Sequence, residues 1–194
     1  MNEKDVKLEK ILEVSLKVFA RFGYKKATME DIATELGMTK GNIYLYVRDK
    51  RDLYEKSVSH ALVKWQSRVF EQMSAETDVI RQFSVMSNRA FEYLAGDVDL
   101  HAILVNDQSI FPISFAEDRF REINKASMDM VRELIRRGIR EKKFRKIDVE
   151  SAVEFIFSVY IMFIIKTYVK HESRPTETMF STGLDMLLNG LVAR

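Results

Sequence analysis

Lys40, Gly41, Asn42, Tyr44 and Tyr46 bring a dense set of reading groups into one short stretch of the chain. A lysine ammonium can donate to guanine, an asparagine amide can pair with adenine, and tyrosine hydroxyls can reach phosphate oxygens. Gly41 has no side chain to hold a backbone away from its partner. Thr28 and Lys50 sit at two predicted helix starts, where unpaired backbone N–H groups attract an anion. Together these residues suit contact with duplex DNA. The competing reading is a short helical hairpin with half-buried tyrosines and solvated lysines.

Short helices must position these groups. Leu8, Ile11, Leu12, Ser15, Leu16, Phe19 and Phe22 recur at steps of three and four, which predicts a first helix ending at Gly23. Thr28 and Asp31 have the spacing of a capping box and open a second helix that Gly37 closes. A third helix starts at Thr39 and runs to about Tyr46. Asp49 and Asp52 repeat the capping spacing and open a fourth helix through Leu53, Val58, Leu62 and Trp65. The tight Gly37-Met38-Thr39 turn between two short helices is the pattern of a helix-turn-helix, whose second helix enters the major groove. In this arrangement Ile32, Leu36, Ile43 and Val47 bury against Phe19 and Phe22.

The run from Thr28 to Leu53, with the preceding Phe19-Ala-Arg-Phe-Gly-Tyr, closely resembles the DNA-binding domain of TetR-family transcriptional regulators. The resemblance is specific over about residues 8 to 56. It implies that Thr39, Lys40, Gly41 and Asn42 approach bases, that Tyr44 and Tyr46 contact backbone or bases, and that Thr28 and Lys50 hold phosphates. Asn42 stands where the family more often has Thr or Ser, and the Leu45-Tyr46 pair varies between members, so the operator sequence stays open.

Beyond residue 50 the chain reads as longer helices: Asp78 to Leu94, Leu100 to Asp107, Ser114 to Arg140, Asp148 to His171 and Thr176 to Val192. Breaks fall at Gly96-Asp97, Phe111-Pro112 and Arg174-Pro175. No strand is predicted. The expected fold is all-α, with about nine helices: a helix-turn-helix domain over residues 1–50 and a helical ligand-binding and dimerisation domain over 51–194. The segment from Ala152 to Ile165 is apolar nearly all round and must be covered on more than one side. Phe180, Leu184, Leu187 and Leu191 form a seam suited to helix packing, and it is the predicted dimer interface. Two copies of such helices would make an intersubunit four-helix bundle, as the resemblance also implies. One reading head contacts few base pairs, so a palindromic operator and a homodimer are expected.

The middle helices are rich in Met and aromatic residues, which are adaptable enough to line an apolar cavity but are often simply core. The resemblance implies a small-molecule site there. Trp65, Phe83, Met86, Phe111, Asn124 and Tyr160 are the candidate ligand contacts. Further candidates are Phe70, Phe91, Phe115, Phe120, Met128, Met130, Met162 and Phe163, with His101 and Asn106 as possible polar handles. The expected effector is hydrophobic, and its binding is expected to alter DNA affinity.

Composition narrows the alternatives. The 194 residues carry a net charge of +2, no Cys, two Pro and seven Gly. The absence of Cys removes disulfides and thiolate chemistry, and so few turn formers argue against a β-sandwich. Charge is uneven: residues 17–51 hold eight basic groups against four acidic ones, a net +4 that leaves the remainder at −2. Between Arg132 and Lys146 eight cations face two acids, which reads as a helix end with favourably placed charge rather than a second DNA patch. Three scattered His, with no P-loop, GxSxG or dinucleotide glycine pattern, argue against an enzyme, and no cofactor is expected. The longest uncharged run, Phe155 to Ile165, is too short to span a bilayer, so a cytoplasmic location is expected. The rival function is a helical small-molecule-binding protein with no role on DNA.

Overall fold

The computed structural model describes residues 2–111, 118–169 and 173–192. Among these are nine α-helices: α1 (Glu3–Lys26), α2 (Met29–Leu36), α3 (Lys40–Tyr44), α4 (Lys50–Ser74), α5 (Val79–Gly96), α6 (Val98–Asn106), α7 (Arg121–Arg140), α8 (Val149–Ile164) and α9 (Ser173–Leu191). A 3-10 turn, Gln108–Ile110, follows α6, and a π-turn, Ile165–Val169, continues α8. The only β pairing among the described residues is a single bridge between Phe144 and Val192. The fold is all-α, as expected.

Local chemistry sets the boundaries of the short helices. Thr28 and Asp31 form the capping box, with the Asp31 N–H donating to Thr28 Oγ1 at 3.1 Å and the Thr28 N–H to Asp31 Oδ2 at 2.8 Å. The Thr28 hydroxyl, itself bonded to Asp31, is foremost among the causes that hold that carboxylate below its ordinary range. Gly37 ends α2 in the left-handed conformation (φ 63°), which a side chain would strain. Thr39 and Asp49 cap α3 and α4 by accepting the N–H groups of Asn42 and Asp52. The first helix continues past the expected stop: the chain bends at Gly23 and resumes to Lys26.

Two apolar clusters hold the molecule. The first joins Ile11, Leu16 and Phe19 of α1 to Ile32, Ile43 and Val47 of the head, and to Leu53 and Val58 of α4 and Leu100 and Leu104 of α6. It therefore crosses residue 50, so the head is seated on the larger domain through shared core. The second joins α4, α5, α7, α8 and the end of α9 around Phe83, Ile135, Val153 and Phe157.

Three expectations are corrected. Phe22 lies outside the core, 43% exposed, with the Arg21 guanidinium 5.0 Å from its ring centre. It is the last helical position before the bend at Gly23, beyond the end of the face that the core covers. The α7 helix starts at Arg121 rather than Ser114, with residues 112–117, including Pro112 and Phe115, outside the described set. His171, the expected end of the eighth helix, also lies outside it.

The third correction concerns the seam. Phe180, Leu184 and Leu187 turn inward to line a cavity, and Leu191 is buried in the second cluster. Phe180 packs 4.3 Å from the Phe91 ring and 5.2 Å from Phe163. The predicted seam therefore packs largely against its own chain, with Phe180, Leu184 and Leu187 left half-exposed. Helical spacing identifies a packed face but not the partner it meets.

Candidate nucleic-acid interface and ligand cavity

The second helix of the hairpin projects as a short rod. Ile43 is fully buried and anchors it, while Thr39, Lys40, Gly41, Asn42 and Tyr44 are exposed. Tyr44 is 48% exposed and free to reach outward. Tyr46 is only half-buried surface: its ring packs against the first core cluster and its carbonyl accepts from Lys56 Nζ at 3.2 Å. A Cβ on Gly41 would meet nothing closer than Thr39 Oγ1 at 3.8 Å, so no internal packing demands glycine there. Its exposed backbone leaves room for close approach of another molecule.

Several charged groups on this face are already engaged. Lys40 Nζ lies 2.7 Å from Glu30 Oε2 of α2, and both side chains are largely exposed. Such a pair is weak in water and can open toward an anionic partner. Lys50 behaves differently. Its ammonium donates to the Ala27 carbonyl at 2.7 Å and toward that of Lys25 at 3.4 Å, and lies 4.8 Å from the Tyr24 ring centre. It ties the start of α4 to the link between α1 and α2. Two groups missed in the sequence join the outward face: Leu45, 73% exposed beside Tyr44, and Arg48, which reaches Asp52 at 3.3 Å but stays largely exposed. Their position between and after the tyrosines was the available signal.

The larger domain encloses a cavity of about 140 Å³ between α4, α5, α7, α8 and α9. Trp65, Phe83, Met86, Phe111, Asn124 and Tyr160 all line it, together with Phe120, Met130, Phe163 and the inward face of α9. Of the other candidates, Phe70 and Met162 are exposed and Met128 is buried in the core. Phe91 packs against Tyr160 at 5.4 Å without lining the space, and His101 and Asn106 do not line it either.

The polar groups around this cavity are satisfied by the protein itself. Trp65 Nε1 donates to the Ala90 carbonyl at 2.9 Å, and Gln66 Nε2 donates to Ser127 Oγ at 2.8 Å and the Ile123 carbonyl at 3.1 Å. Asn124 donates to both oxygens of Asp118 at 3.0 Å. The wall facing the space is therefore apolar, suited to a hydrocarbon chain rather than a sugar or amino acid.

The basic run on α7 is spent on ion pairs, as expected of a solvated helix end. Arg132 and Arg136 reach Glu150 at 2.9 and 3.2 Å, and Arg140 reaches Glu133 at 2.8 Å. At the α1–α4 contact, His60 Nε2 lies 3.9 Å from Glu9 and from Glu13, whose carboxylate also accepts Lys64 Nζ at 2.6 Å. That lysine is the counter-charge of the group.

Residues 11–56 match the family described as bacterial regulatory proteins, tetR family. Over 193 residues, 98% of both chains, the protein is 22% identical to the fatty acid metabolism regulator protein of Bacillus subtilis. The stretch matched to that family runs from Ile11 of α1 into the first turns of α4. Over 154 residues, covering 76% of this chain and 73% of the relative, it is 23% identical to the transcriptional repressor KstR2 of Mycolicibacterium smegmatis. Its fold is also that of the fatty acid degradation regulator FadR from Bacillus halodurans, with a TM-score of 0.77, 24% identity and 97% of each chain covered. The Bacillus subtilis regulator FadR, solved in complex with stearoyl-CoA, matches with a TM-score of 0.77 and 20% identity over 93% of this chain and 97% of that one. No helix among the described residues is long and apolar enough to cross a membrane.

Proposed function

We propose that this regulator is a dimeric repressor whose grip on a palindromic operator is released when a long acyl chain, carried as its coenzyme A thioester, enters the cavity. One observation carries the reading: α4 is a single rod that begins at the head, where Lys50 holds the Ala27 carbonyl, and passes the cavity at Trp65, Gln66 and Val69. Whatever displaces its middle must also move its start. The acyl class is supported by the apolar wall with internally bonded polar groups, and by the stearoyl-CoA held by the Bacillus subtilis neighbour.

Residues 1–50 serve as the reading unit and 51–194 as the effector and pairing unit. Thr39, Lys40, Gly41 and Asn42 approach bases, with Tyr44, Tyr46, Thr28 and the α4 N-terminus on the flanking phosphates. Leu45 adds an apolar contact suited to a thymine methyl.

The pairing surface is the exposed side of α8 and α9. Phe155 and Met162 stand two turns apart on α8, and Met179 and Met186 two turns apart on α9; all four are between 42% and 69% exposed. A second copy of this chain is the occupant that a palindromic operator requires, since two heads must meet grooves about 34 Å apart. A ligand that fits only the dimer with wrongly spaced heads shifts the population toward it. Moving that balance from 1:99 to 99:1 needs about 5.5 kcal/mol of differential affinity, spread over two sites.

The test selects operators from random duplexes, then titrates stearoyl-CoA and decanoyl-CoA against the complex. Sequence-specific binding that weakens steeply with salt and is lost on adding stearoyl-CoA supports the reading. Tight ligand binding with no preferred DNA sequence would favour the rival, a ligand-binding protein without a role on DNA.

A further inference from the structure

One carboxylate gathers contacts from both ends of the molecule. Asp107 ends α6 and opens the 3-10 turn, so the next residues it fixes are Ile110 and Phe111, both buried in the cavity wall. Its Oδ2 accepts the Tyr54 hydroxyl at 2.9 Å and Arg119 Nη1 at 3.0 Å. The same Arg119 nitrogen donates to Ser109 Oγ at 2.7 Å, and Nη2 lies 3.7 Å from Glu55 on α4. The guanidinium also sits 5.6 Å from the ring centre of Phe120, another buried wall residue, and 5.9 Å from that of Tyr54.

Tyr54 carries the contact to the head. It is 3% exposed, and its ring meets Phe19 edge-on at 5.1 Å and Tyr24 at 4.9 Å. Tyr24 in turn lies under the Lys50 ammonium that holds the Ala27 carbonyl, one residue before the cap of α2.

We infer that Tyr54, Asp107 and Arg119 form the latch through which occupancy of the cavity reaches the DNA-reading head. The inference rests on the effector reading above. Its physical basis is a buried hydroxyl that must keep a hydrogen-bond partner. A ligand pressing on Phe111 or Phe120 moves Asp107 or Arg119, since Asp107 caps the short turn that ends at Phe111 and Arg119 is next to Phe120 and stacked on its ring. Once the bond to Asp107 opens, the Tyr54 hydroxyl is left buried without a partner, a costly state. The closed network, or a shifted α4 that gives the hydroxyl water, are the two arrangements that avoid that cost. An α4 shift drags Tyr24 and the Lys50 clamp, and with them the start of α2. Both sites therefore bias one element, which is the physical requirement for coupling.

The test uses the full-length protein with Tyr54→Phe, which keeps the ring, and Arg119→Met, which keeps bulk. Operator affinity, stearoyl-CoA affinity and the factor by which stearoyl-CoA weakens operator binding are measured separately. The expected result is that both affinities stay within about threefold of wild type while the coupling factor falls at least about tenfold. An unchanged coupling factor in both variants overturns the latch. Hydrogen exchange without ligand supplies a second readout: faster exchange from Tyr24 to Ile32 in both variants, with α7 unchanged, supports the latch, and unchanged exchange there contradicts it. If wild type fails to bind stearoyl-CoA, the effector reading fails, and the exchange result still decides whether these side chains hold the head.

Discussion

The indole N–H of Trp65 donates to the Ala90 carbonyl at 2.9 Å, which pins the chain's single tryptophan between α4 and α5 with one face on the cavity. Its ring stacks 6.5 Å from Tyr160 across the same space. An apolar chain entering there must displace or cover this face. Stearoyl-CoA is therefore expected to change Trp65 emission saturably, and Met86→Trp, which fills the space, is expected to abolish that response. Emission that stays flat while the ligand binds by calorimetry would place the site elsewhere.

Lys50 clamps two parts of the head from inside. Lys50→Ala leaves the Ala27 carbonyl without its donor and is expected to lower stability by about 1–2 kcal/mol. If the lysine also neutralises a phosphate, binding to operator and unrelated DNA weakens alike and the salt slope falls by about one. A lowered melting temperature with an unaltered slope would assign the ammonium to the clamp alone.

Pairing is tested on α8 and α9. Met162→Asp and Met186→Asp place charges on exposed apolar positions, so each subunit should fold while sedimentation shows monomers and operator affinity drops by at least about tenfold. Leu187→Asp puts its charge against the cavity wall and is expected to unfold or empty the ligand site. A dimer that persists in both methionine variants would remove this face from consideration.

Gly138 is required by packing. A Cβ there would clash with the ring of Phe144, a buried residue that packs edge-on against Phe83 at 6.5 Å. Gly138→Ala is expected to cost about 1–3 kcal/mol, with Gly138→Ala/Phe144→Leu recovering part of it. Thermal unfolding reads both, and a melting temperature equal to wild type would contradict the contact.

Acid should loosen the seat of the head at the start of α4. The side-chain bond from Lys56, at 2.9 Å, is the largest cause holding Asp52 below its ordinary range, followed by the Arg48 N–H, also at 2.9 Å, against a smaller opposing effect of burial. A group with a depressed folded pKa contributes stability that is complete above its unfolded value, about 3.9, and is lost as pH falls through the folded one. Asp52→Asn is expected to lower stability at pH 7 and to flatten its decline below about pH 4. An acid limb identical to wild type would show that this carboxylate does not contribute.

The reading head was legible in the sequence because capping boxes, Gly37 and the Ile32, Ile43 and Val47 spacing are local signals. The cavity wall was legible in part: Trp65, Phe83 and Tyr160 were chosen for bulk and adaptability, and the fold brings them together from three helices. Phe22 keeps the apolar period of α1 yet lies past the end of the covered face, and periodicity does not show where a partner surface stops. The α9 seam shows the limit of periodicity, since an apolar stripe is the same pattern whether it meets its own chain or a partner. The latch was not visible at all. Tyr54, Asp107 and Arg119 are far apart in sequence, and only the packing of α1, α4 and α6 brings them to one carboxylate.

The most direct test of the account is operator binding followed by anisotropy while stearoyl-CoA is added. The expected result is that the fully bound complex dissociates over the same ligand range in which Trp65 emission saturates. Saturation of Trp65 with the operator still bound at unchanged affinity would contradict it.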